Sequence, residues 1–184
     1  MRRKLTMISI GIVVLMTVFY ACKKDKKNVV PKFVAEKCLN EGSSETTIPY
    51  NIYLYKITDN GNGTYTWEWR IKNLNPGNGS DGTAPNLNGW DISLGTCIQA
   101  TDIVSGATST DGTTWNSFAP TIAVDKGQSC FTDKVIKFDL GTTGSNISYY
   151  RLTVNKNVSH NTVTGVYKTS EICGSLETCG FGCE

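Results

Sequence analysis

From position 64 to 74 the chain alternates without a break: Tyr65, Trp67, Trp69 and Ile71 fall on one side, and Thr66, Glu68, Arg70 and Lys72 on the other. Successive side chains of an extended strand point to opposite faces, so a period of two predicts a strand with one face in a core and the other wet. Residues 48–57 form a second β-rich run. Between the two lies Asp59-Asn60-Gly61-Asn62-Gly63, whose residues tolerate positive φ and predict a hairpin. Further strands are expected at 90–94, 98–104, 113–118, 121–124, 135–140, 147–155 and 162–168. Short strands punctuated by Gly and Asn, with no helical period after residue 37, predict an all-β chain folded as an antiparallel β-sandwich.

The N-terminus is organised differently. Arg2, Arg3 and Lys4 precede an apolar run of seventeen residues from Leu5 to Ala21, followed by Cys22. A positive start, a short apolar stretch and a small residue at the cut make a secretory signal. The stretch resembles the signal of Gram-negative bacterial lipoproteins, in which a small residue precedes a Cys that becomes the diacylated N-terminus. The box here reads Phe19-Tyr20-Ala21-Cys22 and departs from the family's preference for Leu three residues before the Cys. The resemblance implies lipidation at Cys22 and a place in the bacterial cell envelope, at the outer membrane in preference to the inner. Ordinary secretory cleavage fits less well, because Phe19 is too bulky for a small-x-small site. A permanent membrane helix wants about 20 apolar residues, more than this run supplies. All three readings put the rest of the chain outside the cytoplasm.

Charge divides the chain into a signal (1–21), a Lys-rich tether (22–37) and a domain (38–184). The tether carries six Lys against Asp25 and Glu36, whereas the domain carries nine cations and fourteen anions, a net of −5. Lys23, Lys24, Lys26 and Lys27 suit either a solvated spacer or contact with anionic headgroups beside the lipid. An acidic domain behind a basic tether argues against nucleic acid as a partner. At 147 residues the domain is long enough for one hydrophobic core, burying about 68–70% of its unfolded surface.

With Cys22 assigned to the anchor, Cys38, Cys97, Cys130, Cys173, Cys179 and Cys183 remain, an even number in an oxidising compartment. Three disulfides are expected. The preferred pairing joins Cys97 to Cys130, each bordering a predicted strand, and ties Cys38 to the C-terminal cluster. A zinc site is disfavoured, because that cluster lacks the Cys-x-x-Cys knuckle.

The succession Trp67-Glu68-Trp69-Arg70-Ile71-Lys72-Asn73-Leu74, then Leu87-Asn88-Gly89-Trp90, Cys97 and Val135-Ile136-Lys137-Phe138-Asp139, looks like a group of secreted bacterial β domains. In those, a strand ending in Asn leads through a loop to a Leu-x-x-Trp segment, a Cys and an Ile-Lys-Phe-Asp strand. The resemblance covers residues 64–184 and implies a secreted or surface β-sandwich of adhesin-like architecture. It brings no catalytic residues.

Direct signals of chemistry are sparse. His160 is the single histidine, in a run that reads as a turn, and no Gly-x-Ser-x-Gly elbow is present. A glycosidase needs two facing carboxylates, for which Glu68 and Asp139 are candidates if their strands neighbour; pairing with Arg70 and Lys137 is the plainer reading. The Asn/Asp/Gly loops at 59–63 and 78–82 lack the donor pattern of a calcium loop and are explained by turn chemistry. No cofactor or metal is expected.

Aromatic residues are the remaining candidates for a ligand surface. Trp67, Trp69 and Trp90 are expected in the core, while Trp115, set among Thr and Asn, is a candidate contact for a ligand. Tyr149 and Tyr150 are consecutive, so one points away from the core; Tyr149 is the second candidate. The function expected is that of a membrane-anchored, noncatalytic binding or adhesion module for a polysaccharide or a surface protein. A small carboxylate-dependent glycoside hydrolase and a structural envelope protein are the alternatives.

Overall fold

The computed structural model describes residues 32–33 and 50–183. The expectations for the signal, for lipidation at Cys22 and for Cys38 fall outside these residues.

The 64–74 alternation becomes β3 (Tyr65–Asn73), which forms a hairpin with β2 (Tyr50–Asp59). Gly61 and Gly63 take φ of 74° and 83° in the turn, and Gly61 N–H donates to Asp59 Oδ1 at 2.8 Å. The remaining strands are β1 (Lys32–Phe33), β4 (Gly89–Ser93), β5 (Ile103–Ser109), β6 (Asn116–Phe118), β7 (Ile122–Val124), β8 (Lys134–Phe138), β9 (Ile147–Val154), β10 (His160–Lys168) and β11 (Cys173–Phe181). They form two antiparallel sheets, ordered β1-β2-β3-β9-β5-β6 and β11-β10-β4-β8-β7. The β-sandwich expected from the sequence is the fold observed.

Between the sheets lies an aromatic core. Trp67, Trp69, Trp90, Tyr50, Tyr150, Phe138 and Phe181 are all fully buried, as the alternation required of Trp67 and Trp69. Trp90 stacks on Phe138 with centroids 4.9 Å apart and planes 8° from parallel, and meets Trp69 edge-on at 6.1 Å. Trp69 Nε1 donates to the Cys179 carbonyl at 2.6 Å, and Thr178 Oγ1 donates to the Ile52 carbonyl at 2.9 Å. These bonds fix the two sheets against each other. Tyr150 points inward and donates to the Leu140 carbonyl, so Tyr149 is the outward member of the pair.

Several sequence expectations are corrected, among them residues 113–115, expected as strand, which lie before β6 outside any strand. Residues 98–102 are not strand: Asp102 Oδ2 accepts the Gln99 N–H at 2.9 Å and closes a short 3-10 turn (Ala100–Asp102), a local bond that competes with sheet pairing. His160 opens β10 opposite Phe181 instead of lying in a turn. β11 went unseen, because its Cys- and Gly-rich sequence does not alternate; it is made a strand by nine paired positions along β10. Most consequentially, Cys97 pairs with Cys183, and Cys130 with Cys173, at Cα separations of 5.2 and 5.9 Å. The expected Cys97–Cys130 bridge does not form, because the segment after β4 runs to the end of β11. Cys179 is also disulfide-bonded.

Candidate functional site

The outer face of the six-stranded sheet departs from the wet surface that alternation predicts. Glu68 points outward from β3 yet is only 2% exposed. In register across the sheet, Lys56, Glu68, Arg151 and Ala107 make one row, and Tyr53, Arg70, Tyr149 and Ser109 the next. Arg151 Nε and Nη2 both donate to Glu68 Oε2, at 2.9 and 2.8 Å. Lys56 Nζ lies 3.4 Å from Oε2, and Arg70 Nη2 lies 3.6 Å from Oε1. Three cations thus cover one carboxylate.

Aromatic rings flank these cations. A bulge in β2 between Leu54 and Lys56 inserts Tyr55 as an extra residue, bending the strand locally. The Arg70 guanidinium sits 3.2 Å from the Tyr55 ring centroid and 5.1 Å from that of Tyr149. The Arg151 guanidinium lies 3.5 Å from the Trp115 centroid. Such contacts contribute about 0.5–2 kcal/mol each, depending on desolvation, and hold the guanidinium planes in place. Trp115, Tyr55 and Tyr149 are half-buried. The two residues singled out in the sequence, Trp115 and Tyr149, are therefore brought onto one face, each against an Arg.

A tight turn positions Trp115. Asp111 Oδ1 accepts the N–H groups of Thr114 and Thr113, both at 2.7 Å, and the Ser109 hydroxyl at 2.9 Å. These donors, Thr114 first, hold the Asp111 carboxyl well below the usual carboxylate range. Gly112 (φ 73°) approaches so closely that a Cβ there would lie 3.0 Å from the Tyr149 ring. The turn therefore orders Trp115 and packs against Tyr149.

Next to Ser109 and Tyr149 along the chain, Thr110 and Ser148 help to line an open cleft of about 370 Å³, together with Leu87, Asn88, Thr143 and Asn146 among others. Its volume is at the small end of the range for ligand sites, and neutral hydroxyls and amides dominate its polar lining.

The five-stranded sheet carries a second ionic cluster on its own outer face. Asp91, on β4, is fully buried, and neither of its oxygens has a hydrogen-bond donor. Burial, aided by the charge and hydrogen bonding of Asp125, pushes its carboxyl up to about 7, although Lys168 and Lys137 oppose this. Once protonated, Asp91 can donate to Asp125. Asp125 contacts Lys168 Nζ directly and accepts the Gly127 N–H at 2.9 Å. Burial works to raise the Asp125 carboxyl, but these donors and the charges of Lys168 and Lys137 outweigh it and hold the group below its ordinary value.

The carboxylate pair weighed from the sequence does not assemble. Glu68 belongs to the six-stranded sheet, while Asp139 follows β8 of the other sheet, is widely exposed and pairs with Lys137 at 2.8 Å. Among the described residues no cluster of three or more His, Cys, Asp or Glu could hold a metal ion. The Asp91–Asp125 pair was missed in the sequence, where Asp91 reads as one more outward polar residue of a short strand.

No protein-family model matches the chain, and no curated protein matches it. The functional reading therefore rests on the residues themselves.

Proposed function

We propose that the chain is a lipid-anchored, extracytoplasmic binding or adhesion module, without catalysis, that captures an acidic polysaccharide on the outer face of its six-stranded sheet. The observation that carries this reading is the row of half-buried rings beside guanidinium groups, Tyr55–Arg70–Tyr149 and Trp115–Arg151, braced by buried Glu68. Sugar rings present C–H faces to aromatic side chains, and uronate or sulfate groups match the planar fork of Arg. Lys56, Arg70, Lys72 and Arg151 against Glu68 make this face cationic on a domain that is otherwise acidic. Bracing by Glu68 and the Asp111 turn limits the entropy lost on binding. The nearby cleft, with its amides and hydroxyls, suits a terminal sugar unit.

The anchor reading rests on the signal and Cys22. Replacing Cys22 by Ala should move the chain from the membrane to the soluble fraction; unchanged fractionation would reject lipidation there.

The ligand is tested by titrating the oxidised chain with polygalacturonate and with neutral dextran while following Trp fluorescence, and assaying both mixtures for released sugar. Saturable quenching by the acidic polymer alone, weakened by salt and by Trp115→Ala, supports the proposal. Sugar release would favour the hydrolase, and a flat response in both channels would leave a protein-binding or structural role.

A further inference from the structure

On the opposite face of the sandwich, Lys168 of β10 and Asp125, just past β7, meet under a covering segment. Residues 125–133 join β7 to β8, yet they fold back over the sheet. Asp125 reaches Lys168, a Cβ on Gly127 would lie 3.6 Å from Lys168 Nζ, and Cys130 is bonded to Cys173 at the start of β11. Both links span the same sequence separation of 43 residues. Beneath the segment, Val166 and Val135 are buried on the face turned away from the main core. The side chains of Lys168 and Asp125 are only 12% and 6% exposed, and Asp91, fully buried beside Asp125, has no donor for either oxygen.

We propose that Lys168 and Asp125 become joined by an intramolecular amide bond that the chain forms on itself, with Asp91 as the catalytic acid and proton carrier. An outside substrate cannot reach Asp91, so the groups available to it belong to this chain. The reaction is a condensation. The Lys168 ammonium first passes a proton to Asp125 Oδ2, giving a neutral amine beside a neutral carboxyl group. The Nζ lone pair then attacks Cγ, and charge gathers on Oδ1, where the Gly127 N–H already donates. Asp91 takes a second proton from Nζ as it returns its own to the Oδ2 hydroxyl. The Cγ–Oδ2 bond breaks and one water leaves. Nζ ends with one of its three protons, no atom changes oxidation state, and no co-reactant is needed.

Two physical terms favour the step. A pair fixed in contact has an effective concentration that can reach the order of 10⁵–10⁸ M, which offsets the preference of free amine and acid for the unlinked, ionised state. Converting a buried ion pair to a neutral amide also removes the desolvation penalty of two charges. The opposite pKa displacements of Asp91 and Asp125 fit an acid beside an ionised partner at neutral pH. Lys137 competes poorly, since it lies 3.9 Å from Asp125 Oδ1, is 39% exposed and is engaged by Asp139.

The test is peptide mapping of the full chain after reduction and alkylation. The expected result is a branched tryptic product that contains both Asp125 and Lys168, uncleaved after Lys168 and lighter than its two parts by one water. Recovery of both peptides separately and at full mass would overturn the proposal. Intact mass adds a control: the change on Lys168→Arg should exceed the residue difference by one water. If the missing water persists in Lys168→Arg, it arises elsewhere, as from a succinimide at Asp81-Gly82 or Asp111-Gly112, and the proposal fails. Asp91→Asn, compared at equal circular dichroism, should abolish the link or slow it at least tenfold; linkage at the natural rate would remove Asp91 from the mechanism.

Discussion

Arg151 donates through both Nε and Nη2 to a single oxygen of Glu68, across the β3–β9 pair, and so locks an outward carboxylate beneath the cations around it. A lone buried carboxylate would be heavily penalised by desolvation. Here the penalty is met by Arg151, Lys56 and Arg70 together.

Removing that carboxylate should therefore cost stability. Glu68→Ala is expected to lower the unfolding free energy by about 2–4 kcal/mol, below the fully buried range because the three cations are partly exposed. Urea denaturation measures it. A loss under about 0.5 kcal/mol would mean that the ion pairs contribute no more than ordinary surface contacts.

Trp115→Ala separates binding from folding. The ring is half-buried and packs on Arg151 from outside the main core, so the expected loss of stability is about 1 kcal/mol. Affinity for the acidic polymer should fall much further. Equal effects on both, read from melting curves and titrations, would make Trp115 a packing residue.

Asp91 sets a pH dependence whose sign follows from its raised pKa. Between about 4 and 7 the unfolded chain has lost this proton while the folded chain retains it, so folding binds protons and stability falls as pH rises through that window. Above about 7 the folded group is ionised too, and the loss levels off. A displacement of this size corresponds to a few kcal/mol, on the order of 1.4 per pH unit. Burial is the largest cause and acts with or without the Lys168–Asp125 link. Chemical denaturation at pH 4 and pH 7 should show the decline in the natural chain and a much smaller one in Asp91→Asn; parallel profiles would assign the effect to other groups.

Disulfide mapping without reduction should recover Cys97 with Cys183 and Cys130 with Cys173. Cys179 belongs to a further bridge, for which Cys38 is the partner expected from the sequence. Replacing Cys97 and Cys183 together by Ser opens a separation of 86 residues and should destabilise the oxidised protein by about 4–5 kcal/mol in the chain-entropy model. A change below about 1 kcal/mol would show that the β11 end is held by packing alone.

Much of the sandwich was legible because strand periodicity is a local property. Tyr65, Trp67, Trp69 and Ile71 announced their face by spacing alone, and Asn60 to Gly63 announced the turn before them. Tyr149 and Tyr150 could be divided between outside and core by the same rule. β11 was not legible, since its pairing with β10, and not its own side-chain pattern, makes it a strand.

The candidate surfaces mark the boundary more sharply. Sequence determined that Glu68 and Arg70 would point away from the core, because neighbours on a strand must alternate. Whether an outward residue meets water depends on what long-range folding lays over it. Only the tertiary structure put Arg151 across Glu68, Trp115 beside Arg151, and the 125–133 segment over Asp91. Cysteine pairing was decided at the same level: sequence supplied the thiols, and the meeting of the ends of distant strands chose their partners.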